Sequence, residues 1–227
     1  KGHVALAVQF HAKFPSPHEG EVARRAGGGE ATIAPPATTA HARIGPNAVI
    51  QMGEALRAYG GREFERDVFV RAGLQHYLEA LPEHMIPEQE AIAIFDTLYH
   101  DAGVSLHDAN AIARDAGLRT GDYILANRIP QFAQRILKLL PKPLAARALL
   151  GAIGKHSWTF AGSGRFSARY GRPLLIEIAD NPLSFDHCAW HCAVFERLFG
   201  ALVSRQAQAV CVRQAPDGSD CRFEISQ

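Results

Sequence analysis

Between Pro46 and Leu149, apolar residues recur every three to four positions, which predicts a series of helices. Asn47 to Tyr59 ends at the C-cap pair Gly60-Gly61, and Glu63 to Leu81 ends at Pro82. Pro87 opens a helix reaching about Asp101, because its missing N–H is not needed in a first turn. Ser105 caps a short helix to Ala116. Gly117 and Gly121 then punctuate the chain, Thr120 to Asn127 forms a further helical piece, and Pro130 to Leu140 precedes a Pro141-Lys-Pro143 break and a last helix to Leu150.

Beyond residue 150 the pattern changes. His156, Trp158 and Phe160 alternate with Ser157, Thr159 and Ala161, which predicts a strand leading into Gly162-Ser-Gly164. Arg165 to Tyr170 and Leu174 to Ile178 supply further strand material. Phe185, Cys188, Cys192, Phe195, Phe199 and Leu202 then form one helical stripe, with His187 and His191 on a neighbouring one. After Arg205 the period is two, and Ala215-Pro-Asp-Gly-Ser turns the chain into a last strand carrying Cys221, Phe223 and Ile225. A simple hairpin about Pro216 sets Cys211 and Cys221 near one another on adjacent strands. The expected fold class is α+β, with N-terminal helices packed with an antiparallel sheet of about four strands and the cysteine-bearing helix on one of its faces.

Residues 1–42, rich in Ala, Gly, Pro and Thr, read as a flexible leader or linker. Val4 to Val8 is either a short strand or a fragment of upstream or vector sequence. Residues 43–227 read as a single α+β domain, helical over 43–150 and sheet-and-helix over 151–227.

At 227 residues, with 47% hydrophobic and 21% charged content, the chain is long enough for a sizeable core. Its formal net charge of +1 gives no global reason to expect nucleic acid or an anionic membrane as partner. No run approaches the roughly 18 apolar residues of a membrane span, and a cytoplasmic location is expected. A phosphate loop at Gly151-Ala-Ile-Gly-Lys-His fails, since Leu149 stands where glycine is required and His156 where Ser or Thr is. Gly27-Gly-Gly29 lacks the strand, helix and acidic residue of a dinucleotide site, and the cysteine spacing does not match an iron–sulfur run.

All four cysteines lie after Pro182. They admit three readings. Free cysteines pack as small inert hydrophobes; a structural disulfide is disfavoured, because no secretory signal is read; and thiolates with imidazole are zinc ligands, although this is not a CxxC pair.

The run Cys188-Ala-Trp-His, Phe195-Glu-Arg-Leu-Phe-Gly, Cys211 and Asp217-Gly-Ser-Asp-Cys-Arg-Phe resembles the 4-vinyl reductase domain. Arg43-Ile-Gly-Pro-Asn-Ala, Thr120-Gly-Asp-Tyr-Ile-Leu-Ala-Asn-Arg-Ile-Pro and His156-Ser-Trp-Thr-Phe-Ala-Gly-Ser-Gly resemble the bacteriochlorophyll 4-vinyl reductase family. The resemblance runs from about residue 43 to the end. It implies a fold similar to TRAPP vesicle-tethering subunits and a place in bacteriochlorophyll synthesis. From the transcriptional activators that share the domain, it implies a structural zinc on Cys188, Gln208, Cys211 and Cys221. Gln208 departs from the glutamate of that pattern, so His187, His191, Asp186 or Cys192 is considered as its replacement. The two histidines read equally as solvated helix residues.

Vinyl reduction requires a two-electron donor, yet no nucleotide or flavin motif is found. Binding a magnesium tetrapyrrole, by contrast, requires a large apolar pocket with a few polar groups. Tyr123, Trp158, Phe160 and Trp190 are candidate walls, Arg128 a candidate partner for a propionate, and His156 or His100 a candidate axial ligand. The expected function is binding of a Mg-porphyrin or protochlorophyllide-type intermediate around 8-vinyl reduction, as a carrier. The alternatives are a true reductase drawing on an external donor, and an adaptor contacting other enzymes of the pathway. A homodimer is compatible with either.

Overall fold

A computed structural model describes residues 42–214 and 219–226. The leader expected over residues 1–42 therefore lies outside the described residues except for Ala42, and so does the Ala215 to Gly218 turn.

The first helix, α1, runs Asn47–Arg71 and is kinked at Gly61, whose φ of 78° only glycine adopts freely. The two helices expected there are one kinked rod, and the second half stops ten residues before Leu81. Gly73 is the reason: its φ is 73°, and the Gly73 and Leu74 N–H groups return to the Val70 and Phe69 carbonyls. α2 (Glu88–Asp96) starts after Pro87 and continues into a π-turn over Thr97–Asp101. α3 (Leu106–Asn127) is capped by Ser105, whose Oγ accepts from Asp108 N–H at 3.1 Å. It does not stop at Ala116.

Gly117 and Gly121 punctuate nothing. They sit within α3, where the backbone of Trp190 and the Cβ of Arg197 on α7 (Ala189–Leu202) leave no room for a side chain. α4 (Gln131–Leu139) and α5 (Lys142–Lys155) follow, separated by Pro141.

The strand expected around Trp158 is instead a short helix, α6 (Trp158–Ala161). Its alternation spans too few residues to oppose the turn bonds that Ala161 N–H makes to Ser157 O and Thr159 Oγ1 makes to His156 O. Gly45 N–H donates to Thr159 O at 2.8 Å, and a Cβ on Gly45 would stand 2.6 Å from that oxygen. Gly45 follows β1 (Arg43–Ile44), which pairs antiparallel with β2 (Ile86–Pro87). Close behind, buried Glu88 accepts from both the N–H and the hydroxyl of Ser163. These bonds clamp α6 to the start of α1 and α2.

The larger sheet is antiparallel in the order β3-β4-β6-β5, with β3 at Arg165–Arg169, β4 at Leu174–Ala179, β5 at Gln208–Gln214 and β6 at Cys221–Ser226. Ile176, Ile178, Phe223 and Ile225 line its buried face. On the other face Arg222 Nη2 donates to Glu177 Oε2 at 3.3 Å. Cys211 does not face Cys221. It pairs with Phe223, two residues along β6, and a bulge between Cys211 and Arg213 then brings Cys221 opposite Gln214.

Seven helices and two small sheets among the described residues form one hydrophobic cluster. The 4-vinyl reductase and TRAPP-subunit arrangement expected for residues 151–227 is not what organises it. α7 is wedged between the sheet and α3, so the cysteine-bearing helix belongs as much to the helical half as to the sheet.

Candidate functional site

Two faces of α7 carry two different groups of residues. Toward the sheet, Phe195 meets Phe223 with ring centres 5.2 Å apart, and His191 lies 5.9 Å from the same ring. Toward the helices, Trp190, Val194 and Leu198, spaced four apart, form one wall of a cavity. The cavity encloses about 110 Å³ of free space and is partly open to solvent. Thr120 and Ile124 of α3, Leu149 and Ile153 of α5, and the Gly45-Pro46-Asn47 entry to α1 close the other sides.

Five candidate residues come together here. Arg128, His156, Trp158, Phe160 and Trp190 all line the cavity, although they lie on the end of α3, the end of α5, α6 and α7. Tyr123 does not line it. Its ring lies under the Arg128 guanidinium at 5.6 Å, and its hydroxyl accepts from Arg128 Nη2 at 3.5 Å, so it stands behind the arginine as a support. His100 is elsewhere, exposed on the π-turn with Nδ1 3.0 Å from Asp96 Oδ1.

The wall is almost wholly apolar. Thr120 turns its hydroxyl onto the Ala116 carbonyl at 2.8 Å, leaving Arg128 and His156 as the ionisable groups. Burial, then the charges of Lys155 and Arg128, lower the His156 pKa and favour the neutral imidazole. Trp190 Nε1–H is buried without an acceptor among the described residues. Sequence reasoning missed the walls from Gly45, Thr120, Leu149 and Leu198; the period-four run Trp190, Val194, Leu198 was the readable signal.

The second cluster is sulfur. The Sγ atoms of Cys188, Cys211 and Cys221 lie within 4.8 Å of one another, and Cys188 and Cys221 are joined as a disulfide, the reading the sequence disfavoured. The reason is positional: Cys188 is held in the left-handed region at φ 50° just ahead of α7, which turns it toward β6. Asn181 Nδ2 is 3.2 Å from Cys221 Sγ.

The other candidate ligands lie outside this group. His187 is exposed and 3.7 Å from Asp186, which itself accepts from Asn110. His191 is fully buried, with Nε2 3.2 Å from Phe160 O and its pKa lowered to about 4 by burial, so it is neither solvated nor beside the sulfurs. Cys192 approaches the His187 carbonyl, and burial pushes its pKa up to about 12. Gln208 is exposed. Three sulfur positions thus fit a thiophilic metal when reduced, and no fourth protein ligand joins them among the described residues.

No family model matches the chain. Among solved structures, an Fe(II) unliganded H-NOX protein from K. algicida is 11% identical with a TM-score of 0.56, covering 81% of this chain and 96% of its own. Another, from a study of heme distortion in the H-NOX family, is 13% identical with a TM-score of 0.54, covering 81% and 94%. The fold is therefore similar to that of H-NOX domains, which corrects the expected likeness to 4-vinyl reductase and TRAPP-subunit folds. Short sequence motifs suggested that likeness, but the packing of α3, α4 and α5 on α7 decides the architecture.

Two curated relatives are much nearer in sequence. The bacteriochlorophyll synthase 23 kDa chain of Cereibacter sphaeroides is 45% identical over 194 residues, 81% of this chain and 90% of that one. Its namesake in Rhodobacter capsulatus is 48% identical over 167 residues, 71% and 76% of the two chains. Identity of this extent along most of both sequences places this chain in the family of bacteriochlorophyll synthase 23 kDa chains, proteins of bacteriochlorophyll biosynthesis.

Proposed function

We propose that this protein binds a magnesium tetrapyrrole intermediate of bacteriochlorophyll synthesis in the cavity beside α7 and carries it to the enzymes that modify it, around reduction of the 8-vinyl group. The cavity supports this reading most directly: an apolar slot with one guanidinium and one neutral imidazole suits a flat apolar ring bearing carboxylates. Family membership supports the pathway. The fold neighbours lend support too, since one of them served to probe heme distortion, and heme is a tetrapyrrole.

In this reading Arg128, backed by Tyr123, pairs with a propionate, because a guanidinium meets a carboxylate through two parallel bonds. His156 offers a nitrogen to the central magnesium. Trp158, Phe160 and Trp190 cover the ring faces, and the unpaired Trp190 N–H gains an acceptor from a peripheral carbonyl or carboxylate. A reductase reading uses the same cavity with an external electron donor, and an adaptor reading does not need the cavity at all.

Titrating purified protein with Mg-protoporphyrin separates the three. A shifted pigment absorbance that saturates, with the vinyl group intact in the presence of NADPH, is the carrier result. Vinyl conversion with NADPH and no second protein replaces the carrier by the enzyme. An unshifted spectrum removes tetrapyrrole binding and leaves the adaptor.

The three sulfurs carry a separate proposal: when Cys188 and Cys221 are reduced, they and Cys211 hold a structural zinc that ties the last hairpin to the head of α7.

A further inference from the structure

Charge is unevenly distributed along this chain. The stretch from Tyr123 to Ile176 contains nine of the 24 Lys and Arg residues and none of the 23 Asp and Glu. A net charge of +1 conceals this asymmetry. On β3, Arg165 and Arg169 are neutralised by Asp180 and Glu177 of the neighbouring strand and its end. On α4 and α5 the situation differs. Arg135, Lys138, Lys142, Arg147 and Lys155 are all exposed, and none of them pairs with an acidic group among the described residues.

The same two helices expose apolar side chains. Phe132 is 65% exposed, Leu139 85% and Leu144 54%. On α4, Phe132, Arg135 and Leu139 share one stripe, while Ala133 and Leu137 turn inward. On α5, Leu144, Arg147, Gly151 and Lys155 share another, while Ala145, Leu149 and Ala152 turn inward. Large apolar residues among cations that have no acidic partner among the described residues are complementary to a surface that is anionic outside and apolar just beneath. A nucleic acid would engage the cations and leave Phe132, Leu139 and Leu144 in water. An anionic bilayer engages both.

We propose that the α4–α5 pair is a docking surface for an anionic lipid bilayer, on which the protein lies without crossing it. No helix among the described residues is long and apolar enough to cross. The inner face of α5 supplies Leu149, Ala152 and Ile153 to the cavity wall, so docking through its outer face places the cavity directly behind the docked helix. The inference does not depend on what the cavity holds.

Sedimentation of the whole protein with vesicles tests it, comparing phosphatidylcholine alone with phosphatidylcholine containing one third phosphatidylglycerol, at low and high salt. Binding is expected on the anionic vesicles alone and should weaken as salt rises. Arg135→Gln and Lys138→Gln should each lower the partition coefficient about fivefold at low salt. Phe132→Ser with Leu139→Ser should remove most of it, whereas Leu106→Ser, at another exposed leucine, on α3, should change nothing. Failure of the wild type to sediment with anionic vesicles overturns the proposal. So does equal binding to neutral vesicles, or retention of duplex DNA in their place. The wild-type lipid and salt comparisons decide the matter even if a variant misfolds.

Discussion

Gly117 on α3 lies against the backbone carbonyl of Trp190 on α7, and no Cβ fits between them. The two helices can approach this closely only because that position lacks a side chain, and Trp190 owes its place on the cavity wall to the approach. Gly117→Ala is expected to push α3 from α7 and destabilise the protein by about 1–3 kcal/mol, the usual cost of overpacking a core. Urea denaturation should show a lower midpoint with an unchanged slope. Pigment affinity should fall with it, because Thr120 and Ile124 move with α3.

Arg128 provides a sharper test of the cavity. If it meets a propionate, Arg128→Ala weakens binding of a free-acid Mg-porphyrin by about tenfold or more, since a charge-assisted bond is worth about 1.5–3 kcal/mol. Binding of the dimethyl ester should scarcely change. Equal losses for acid and ester, read from absorbance titrations, would show that the arginine supports the wall and does not recognise a carboxylate.

His191 makes stability depend on pH. Its folded pKa of about 4 lies below the ordinary value of 6.5, because it is buried among Trp190, Phe195 and Phe223 with Nδ1 unpartnered. Between those values the unfolded chain binds the extra proton, so stability is full above the upper one and declines as pH falls toward the lower. The loss amounts to about 3 kcal/mol at most. His191→Phe should flatten this segment of a stability–pH curve measured by denaturant titration, and an unaltered slope would assign the acid sensitivity to other groups.

Reduction and metal content examine the sulfur cluster. Wild type purified under reducing conditions is expected to carry about one zinc per chain, and Cys211→Ser or Cys221→Ser almost none. Chelation should then loosen the C-terminal hairpin, seen as faster amide exchange in β5 and β6. Metal content near zero in all three proteins would leave the Cys188–Cys221 disulfide as the whole role of the cluster.

Much of the local structure was readable in the residue pattern. The Ser105 cap, Pro87 ahead of α2, the proline boundaries of α4 and α5, strands β3 and β4, and the buried stripe from Cys192 to Leu202 all depend on neighbours in sequence. Errors arose where a short pattern had two solutions. Six alternating residues about Trp158 satisfied the strand pattern, but Gly45 and the turn bonds drew them into α6. Glycines at 117 and 121 looked like stops, because a glycine that admits a neighbouring helix is indistinguishable from one that ends its own.

The chain alone determined which side chains carry chemistry: an arginine, a histidine and aromatics in separate motifs, and cysteines confined to the last part. Tertiary structure decided which of them meet. Arg128, His156 and Trp190 share a cavity because α3, α5 and α7 pack side by side, and Tyr123 is displaced behind Arg128 by the turn of the helix that carries it. The register of β5 on β6 sets Cys211 opposite Phe223, a bulge brings Gln214 opposite Cys221, and the left-handed turn at Cys188 aims its sulfur at Cys221. Such pairings depend on where distant segments are held in space, and residue spacing along a chain contains no measure of that distance.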